Sequence, residues 1–298
     1  MRRVVPVLAV LVVAVVLSPA PAGAGGERGP ARGRAPDRPA ARGIDLPDPV
    51  ACPGCYAPDD LHVTWQWQLQ GQLVIDPYIE EHEVELFDVD MFETSSTQVD
   101  RIHDGDAAAI CYISAGAWET FRPDEDEFPK KVLGKRLDGW PGERWLDIRR
   151  IKILKPIMQD RLDRCAAKGF DGVEFDNVDS YTNPTGFPLT GADQLRYNVM
   201  LANEAHRRGL SAVLKNDIKQ IPTLLDYFDL ALNEQCYQYR ECAAYAMFVD
   251  ANKAVLGVEY ELKPSSFCPK ANAAGYNWLK KAYALRAEPF LDCHAWAA

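Results

Sequence analysis

Carboxylate side chains stand close together near the middle of the chain, in the run Gly172–Asp179. Glu174 and Asp176 are two positions apart, so a strand would turn both toward the same side and Val173 and Phe175 toward the other. Two such carboxyl groups suit glycoside cleavage, in which one acid is protonated and the other is ionised. Their hard oxygens would also suit Ca²⁺ or Mg²⁺ and metal-assisted hydrolysis.

Other polar side chains end neighbouring apolar runs. Lys215 stands at the end of the fifth predicted strand, Glu234 at the end of the sixth and Glu259 at the end of the seventh. A lysine among carboxylates can hold the cluster together or lower the pKa of a neighbour. The chain has five histidines and none stands at a predicted strand end, so a zinc site is not expected. No motif of a serine or cysteine nucleophile is present, and neither a metal nor a cofactor is predicted.

Short β-branched or aromatic runs alternate with segments of helical period. The predicted strands are Val63–Leu69, Val84–Val89, Ala109–Ser114, Gly172–Asn177, Ser211–Asn216, Asp229–Asn233, Ala254–Tyr260 and Ala284–Phe290. The predicted helices include Ile151–Lys168, Asp193–Arg208, Ile218–Tyr227, Glu241–Asn252 and Asn272–Ala282. This alternation predicts an α/β fold, a (β/α)8 TIM-type barrel with elaborated βα loops. The segment Ala115–Arg150 is the most elaborate of these loops, at the face where barrel enzymes carry their chemistry.

The N-terminus has the features of a secretory signal. Arg2 and Arg3 precede the apolar run Val4–Leu17, and a small-residue cleavage site follows at Ala22–Ala24. The apolar run is shorter than the roughly 20 residues that span a bilayer. We therefore predict a signal peptide over residues 1–24, a disordered linker over 25–43 and a single domain over 44–298. The mature protein is expected to be secreted, off the membrane and monomeric.

Eight cysteines lie beyond the signal, an even number that favours disulfides in an exported chain. Their spacing suggests Cys52–Cys55 and Cys236–Cys242 as local loops and Cys268–Cys293 as a C-terminal clasp. Cys111 and Cys165 then pair by elimination.

The chain carries 43 acidic and 33 basic residues, a net charge of −10. Such a body repels nucleic acid and attracts cationic ligands, although the acidity also serves the solubility of any secreted protein. Seven tryptophans and twelve tyrosines provide rings on which sugar faces could pack, or plain core packing. Those at or near predicted strand ends and loops are Trp65, Trp67, Trp118, Trp140, Trp145, Tyr181, Tyr237, Tyr239 and Tyr260.

Seven sequence strings, in order on separate predicted elements, resemble glycoside hydrolase family 114, the endo-α-1,4-polygalactosaminidases. These are Trp65–Leu69, Cys111–Gly116, Glu143–Ile148, Phe170–Asp179, Leu214–Asn216, Asn233–Cys236 and Val258–Tyr260. The resemblance implies a secreted barrel that cleaves within α-1,4-linked galactosamine polymers with retention. It implies Asp176 as nucleophile and Glu234 as general acid/base.

The substrate-binding residues expected around this pair come from neighbouring strand ends and loops. They are Trp67, Asp88, Tyr112, Glu119, Glu174, Asn177, Asp179, Tyr181, Lys215, Asn216, Tyr237 and Glu259. The expected partner is a cationic amino-sugar polymer, because an excess of carboxylates would favour its ammonium groups. Two alternatives remain: a carbohydrate-binding protein on a catalytically silent barrel, and a metal-dependent hydrolase that uses Asp176, Asp179 and Glu234 as ligands.

Overall fold

The computed structural model describes residues 43–296, so the predicted signal peptide and all of the linker except residue 43 lie outside the described residues. The strands are β1 (Trp65–Gln68), β2 (Leu86–Asp90), β3 (Ala108–Ser114), β4 (Ala117–Glu119), β5 (Leu133–Arg136), β6 (Glu143–Leu146), β7 (Gly172–Asp176), β8 (Ser211–Lys215), β9 (Leu230–Glu234), β10 (Val255–Glu259), β11 (Asn277–Lys280) and β12 (Leu291–Asp292).

Helices follow most of the barrel strands. The α-helices are α1 (Asp76–His82), α2 (Ser96–His103), α3 (Ile151–Ala167), α4 (Gly191–His206), α5 (Ile221–Leu224), α6 (Cys236–Tyr239), α7 (Ala246–Asp250) and α8 (Pro264–Ala273). Short 3-10 helices span Glu125–Glu127, Lys130–Val132, Ser180–Thr182, Ile218–Gln220 and Cys242–Tyr245. Within residues 43–296, none of these helices has the length and apolar character needed to cross a membrane.

Eight parallel strands form the predicted (β/α)8 barrel. They pair in the order β1-β2-β3-β7-β8-β9-β10-β11, and β12 adds antiparallel to β11. Hydrogen bonds from the first segment close the ring against β11. The Trp65 indole donates to the Asn277 carbonyl at 3.0 Å, and the Val63 amide donates to the Asn277 side-chain oxygen at 2.9 Å. The fold class predicted from the alternation of strands and helices is confirmed.

Alternation along each strand produces two apolar layers. The outward-facing residues, such as Phe87, Cys111 and Phe175, pack in one cluster with the helices. The inward-facing residues form a second cluster that includes Trp65, Trp67, Leu86, Ile110, Val213, Leu230, Leu232, Leu256, Val258 and Leu279. The barrel interior is therefore apolar toward the starts of the strands, and its polar residues are concentrated toward the strand ends.

The two longest helices begin and end at residues with clear local signals. Thr190 and Asp193 cap the start of α4 reciprocally. Gly169 and Gly209, which follow α3 and α4, have left-handed backbone angles of φ +89° and +74°. Glycine adopts these angles without steric cost, and the sequence prediction placed both helix ends correctly.

The predicted C-terminal elements are wrong. The helix predicted over Asn272–Ala282 ends in the structure at Ala273, because Gly275 adopts φ +71° and stops it. The eighth barrel strand is β11, inside that predicted helix, rather than the predicted Ala284–Phe290. Leu285 has φ 43° in the latter run, an angle that interrupts a strand. The predicted helices after β8 and β9 are also broken into shorter pieces.

The long loop after β3 is elaborated as predicted, and it folds into a three-stranded antiparallel sheet in the order β4-β6-β5. Two buried arginines fasten it to the barrel. Arg161 of α3 donates two hydrogen bonds to Asp124 and one to the Ser114 carbonyl. Arg122 donates two to Asp90 and one to Glu119. Buried charges are stable only when paired in this way, so the loop has a fixed position over the barrel mouth.

All four predicted disulfides are present: Cys52–Cys55, Cys111–Cys165, Cys236–Cys242 and Cys268–Cys293. Cys111–Cys165 joins β3 to α3 across 54 residues of sequence, the longest separation of the four. A cross-link stabilises more when it closes a longer loop of the unfolded chain.

We expect the double variant Cys111→Ala/Cys165→Ala to lose about 4 kcal/mol of unfolding free energy, measured by urea denaturation. The matched control Cys52→Ala/Cys55→Ala opens a loop of sequence separation 3 and should lose about 2 kcal/mol or less. A larger loss in the control would contradict this ranking.

Candidate active site

Three adjacent barrel strands end in charged side chains that meet inside the barrel mouth. These are Asp176 of β7, Lys215 of β8 and Glu234 of β9. The next residue in each case, Asn177, Asn216 or Gln235, has a left-handed backbone angle, with φ of 62°, 49° and 66°. The chain therefore leaves the barrel wall immediately after each charged residue, which keeps the three side chains at one level.

Lys215 is the centre of the cluster. Its ammonium lies 2.9 Å from Asp176 Oδ1, 3.1 Å from Glu234 Oε2 and 3.2 Å from Glu174 Oε1. The same ammonium stands over the Trp67 ring, 4.7 Å from its centre. The ammonium donates hydrogen bonds to Asp176 and Glu174, and its contact with Glu234 is an ion pair. Burial alone would lower the pKa of Lys215, but Asp176, Glu174 and Glu234 raise it well above its ordinary value.

Asp176 is held as a carboxylate. Besides Lys215, Asp176 accepts hydrogen bonds at Oδ2 from the Tyr112 hydroxyl at 2.9 Å and from the Asn177 amide at 3.0 Å. Burial would raise the pKa of Asp176, but Lys215 and these donors outweigh burial and bring the pKa below its ordinary value. Asp176 is therefore ionised and oriented at neutral pH, as a nucleophile must be.

Glu234 has a different set of contacts. One of its oxygens contacts Lys215, and the other accepts a hydrogen bond from the Tyr260 hydroxyl. Its backbone amide donates to the Asn216 side-chain oxygen at 3.0 Å, and the same oxygen accepts from Asn233 at 3.0 Å. Glu234 is therefore fixed at both its backbone and its side chain.

A close backbone approach supports the Asp176 end of the cluster. The Gly116 amide donates to the Asp176 carbonyl at 3.0 Å, and a Cβ atom at Gly116 would stand 1.7 Å from the Asn177 carbonyl oxygen. Only glycine fits here, since a side chain would push away the segment that positions the carboxylate.

The cluster lies between two clefts. A larger cleft of about 1050 Å³ extends from it toward β1, β2 and the loop after β3, and a smaller one of about 370 Å³ opens beside α6. Four residues line both clefts: Asp179, Asn216, Glu234 and Gln235. The two clefts are thus neighbours that meet at Glu234, so bound chain could extend past the Asp176–Glu234 pair on either side.

Aromatic rings are exposed along these clefts. Among the described residues, four large hydrophobic side chains are exposed: Phe121, Trp140, Tyr239 and Tyr283. Phe121, Trp140 and Tyr283 line the larger cleft and Tyr239 the smaller one. Exposed rings are costly in water, and rings of this kind offer faces on which the C–H side of a sugar can pack.

Acids outnumber cations along the larger cleft. Its charged lining consists of Asp90, Glu93, Glu119, Glu143, Asp176, Asp179 and Glu234 against Arg122 and Lys215. Burial, followed by the charge of Asp176, raises the pKa of Asp179 to about 6. Burial and the charge of Glu119 raise the pKa of Glu143 to about 8. These acids would gain negative charge when a cation binds beside them.

The predicted site residues divide into four groups. Asp176 and Glu234 meet at Lys215, and the larger cleft is also lined by Trp67, Tyr112, Glu119, Asn177, Asp179 and Asn216. Tyr181 lines the smaller cleft only. Asp88 and Glu174 point into the barrel interior and line neither cleft.

Tyr237 and Glu259 lie on the outer side of the barrel wall. Val258 and Tyr260 face inward on β10, so alternation turns Glu259 toward the helices. There it accepts a hydrogen bond from the Tyr237 amide at 2.8 Å, while the Tyr237 ring packs against Trp278. Neither residue lines a cleft.

Sequence reasoning did not select Phe121, Arg122, Glu143 or Tyr283, which all line the larger cleft. Three of them belong to the loop after β3, which was predicted as elaborated but without positions for its side chains. Tyr260 could have been selected from alternation, because Val258 and Tyr260 share a face.

The geometry of the cluster does not support a metal site. Lys215 occupies the point on which the carboxylates converge, and an ammonium and a metal ion would repel each other there. Across residues 43–296, no group of three or more His, Cys, Asp or Glu is arranged to hold a metal ion.

Comparison with known proteins identifies relatives in both structure and sequence. The crystal structure of Aspergillus fumigatus Ega3 in complex with galactosamine is similar with a TM-score of 0.73 and 34% identity, over 82% of this chain and 98% of that chain. The glycoside hydrolase domain of PelA from Pseudomonas aeruginosa is 12% identical with a TM-score of 0.59, over 77% of this chain and 97% of that domain, a likeness of fold alone.

An uncharacterized protein of Deinococcus radiodurans is 29% identical over 191 residues. The match covers 56% of this chain and 61% of the length of that protein. Residues 52–296 match the model of glycoside-hydrolase family GH114, which is most of the chain. The chain belongs to glycoside-hydrolase family GH114.

Proposed function

We propose that this chain is a secreted, retaining, endo-acting hydrolase of α-1,4-linked galactosamine polymers. The observation that carries the proposal is the position of Asp176 and Glu234, which share one ammonium where two clefts meet. Membership of GH114 and the likeness to Ega3, whose structure contains galactosamine, support the substrate class. The leader sequence and four disulfides support secretion.

The spacing of the two carboxylates supports retention. Asp176 Oδ1 and Glu234 Oε2 are 2.9 and 3.1 Å from the same nitrogen. The two oxygens therefore lie no more than about 6.0 Å apart, whatever the angle at the nitrogen. Retaining enzymes place their carboxyl groups about 5–5.5 Å apart, whereas inverting enzymes need about 6.5–9.5 Å to admit a water molecule.

The two carboxylates then act in sequence. Glu234 donates a proton to the glycosidic oxygen while Asp176 attacks the anomeric carbon, which gives a covalent glycosyl-enzyme and a free chain end. Glu234 next removes a proton from water, and the resulting attack on the anomeric carbon releases Asp176. Tyr112, Asn177 and Lys215 hold Asp176 in position through both steps.

The surroundings of the pair favour a long cationic chain. A chain cut internally must pass the catalytic centre on both sides, and clefts adjoin Glu234 on both sides. Deacetylated galactosamine carries an ammonium near neutral pH, which the acidic lining attracts. The exposed rings of Phe121, Trp140, Tyr239 and Tyr283 supply stacking surfaces along the path.

Replacement of either catalytic carboxylate should abolish cleavage. We expect Glu234→Gln to reduce reducing-end release from de-N-acetylated galactosaminogalactan by about 10²–10⁴-fold, and Asp176→Asn to reduce it to background. The control Asp100→Asn removes an exposed acid from α2 and should keep wild-type activity.

The same assay separates the alternatives. Excess EDTA should leave the wild-type rate unchanged, since no step of the proposal uses a metal. Wild-type rates in both carboxylate variants would exclude this pair, and loss of activity in EDTA would favour a metal-dependent hydrolase. A wild-type protein that binds the polymer without product release would be a carbohydrate-binding protein.

Salt and acetylation should both reduce turnover. Exposed charges are screened as ionic strength rises, so kcat/KM on the deacetylated polymer should fall several-fold between about 0.05 and 0.5 M salt. The fully acetylated polymer lacks ammonium groups and should not be cleaved. Mass analysis of the products from both polymers checks this, and equal turnover of the two would contradict amino-sugar selectivity.

The Michaelis constant should depend on pH through Asp179. Since the pKa of Asp179 is raised to about 6, the residue loses its charge as the pH falls through that value. We expect KM for the deacetylated polymer to rise below about pH 6, because one attraction for the ammonium groups is lost. Asp179→Asn should show a higher KM with less change over the same range, and an unchanged pH profile of KM would exclude Asp179 from binding.

A further inference from the structure

Two buried acids form a floor beneath the catalytic carboxylates. Asp88 of β2 and Glu174 of β7 both point into the barrel and are 0% exposed. Neither lines a cleft, although Glu174 contacts Lys215 at 3.2 Å. Both oxygens of Asp88, and Oε2 of Glu174, are buried without a hydrogen-bond partner. The catalytic steps use neither residue.

Negative charge on Asp88 and Glu174 would be costly at this buried position. A buried carboxylate anion without donors is far more costly than a neutral acid group in the same place, because the anion loses its hydration and gains nothing in return. Lys215 cannot neutralise the whole cluster, since its single positive charge is shared by the neighbouring Glu174, Asp176 and Glu234, and Asp88 has no contact with it within hydrogen-bond distance. Four carboxyl groups therefore surround one ammonium.

We propose that Asp88 and Glu174 are positioning residues that stay uncharged, so that the charge of Lys215 is left to Asp176 and, once it has given up its proton, to Glu234. A neutral Glu174 can still accept the Lys215 hydrogen bond through its carbonyl oxygen. It fixes the direction of the ammonium without competing for its charge. A neutral Asp88 fills the polar space under Glu174 and likewise does not compete for the charge of Lys215. This role differs from the sugar binding expected from the sequence.

The groups that face the floor come from every neighbouring strand. Trp67 of β1, Tyr112 of β3, Asp176 of β7, Lys215 of β8, Glu234 of β9 and Tyr260 after β10 surround it. Burial, and then the charge of Glu174, raises the pKa of Asp88 well above its ordinary value. Burial raises the pKa of Glu174 to about 8, despite the opposing attraction of Lys215.

The first test measures stability and needs no substrate. Since the pKa of Glu174 is higher in the folded chain, its contribution to stability is complete at acid pH and is lost as the pH rises toward about 8. For each acid that stays protonated only in the folded state, the folding equilibrium constant falls about tenfold for each unit by which the pH rises in this range. Glu174→Gln and Asp88→Asn replace the neutral acids by neutral amides of the same shape.

Between about pH 5 and 7, we expect the folding constant of each variant to fall about tenfold less per unit rise in pH than that of the wild type. Urea unfolding of the full chain at several pH values measures it, and Asp100→Asn, which removes an exposed acid, should keep the wild-type dependence. Equal pH dependence in the wild type and in both variants would overturn the proposal.

Infrared spectroscopy gives a second measurement, which can still be made if one of the two variants folds poorly. The wild-type protein at pH 7 should show the carbonyl stretch of protonated carboxyl groups, and the difference spectrum against either folded variant should contain one such band. Absence of that band from the difference spectrum against a folded variant would overturn the proposal; the difference is needed because Glu143 and Asp217 also have raised pKa values.

The activity arm rests on the proposed function. If both acids are already neutral at low pH, the amides should leave the acidic limb of the kcat profile in place, whereas removal of an anion would shift it downward by about one pH unit or more. A downward shift would overturn the proposal. A wild-type protein without hydrolase activity would contradict the proposed function, while stability and infrared data would still decide the state of the floor.

Discussion

The ammonium of Lys215 is the interaction on which the site depends. It is buried inside the barrel with three carboxyl groups in contact, and a carboxylate such as Asp176 could not stay charged there without it. The reverse also holds, because burial opposes the charge of Lys215 and the surrounding acids restore it. These charges are therefore interdependent, and the ammonium limits the separation of Asp176 and Glu234 on which the proposed retaining mechanism rests.

The rest of the fold keeps Lys215 and the carboxyl groups around it in fixed positions. Three strands end at one level because Asn177, Asn216 and Gln235 turn the chain away at once. Gly116 brings the loop after β3 into direct contact with the end of β7. Arg122 and Arg161 then fix that loop through buried ion pairs, so one wall of the larger cleft is as rigid as the barrel. Pre-organised charges of this kind act without rearrangement during the reaction.

Much of this could be predicted from sequence where the pattern is local. Alternation placed Glu174 and Asp176 on one face, and a lysine at a strand end was recognised as a partner for carboxylates. The disulfides followed from spacing. The eighth strand was missed because the four residues of β11 are too few for a period to show, and Trp278 and Leu279 fit a helical pattern equally well.

The errors at the site have a different cause. Glu259 ends a strand as Glu234 does, and only the parity of the strand, read from Val258 and Tyr260, shows that it faces outward. Phe121 and Tyr283 lie in irregular segments, so no period predicts where their rings point. Their exposure depends on long-range contacts, such as the Arg122 guanidinium over the Phe121 ring, that a single sequence does not encode locally.

The acids of the barrel mouth differ in how readily they ionise, according to their depth in the barrel. Those exposed along the clefts can meet cations from solvent, while Asp217, a buried residue in the lining of the smaller cleft, has its pKa raised to about 9 by burial and by Asp179. An acidic surface is inexpensive because water and substrate ammonium groups both stabilise it, whereas an acidic interior is not. Negative charge therefore belongs at the cleft surface, where it can select a cationic sugar. Deeper in the barrel the same residue type is stable only when an ammonium or a proton accompanies it, and this limits the anions at the catalytic centre to those that Lys215 can hold.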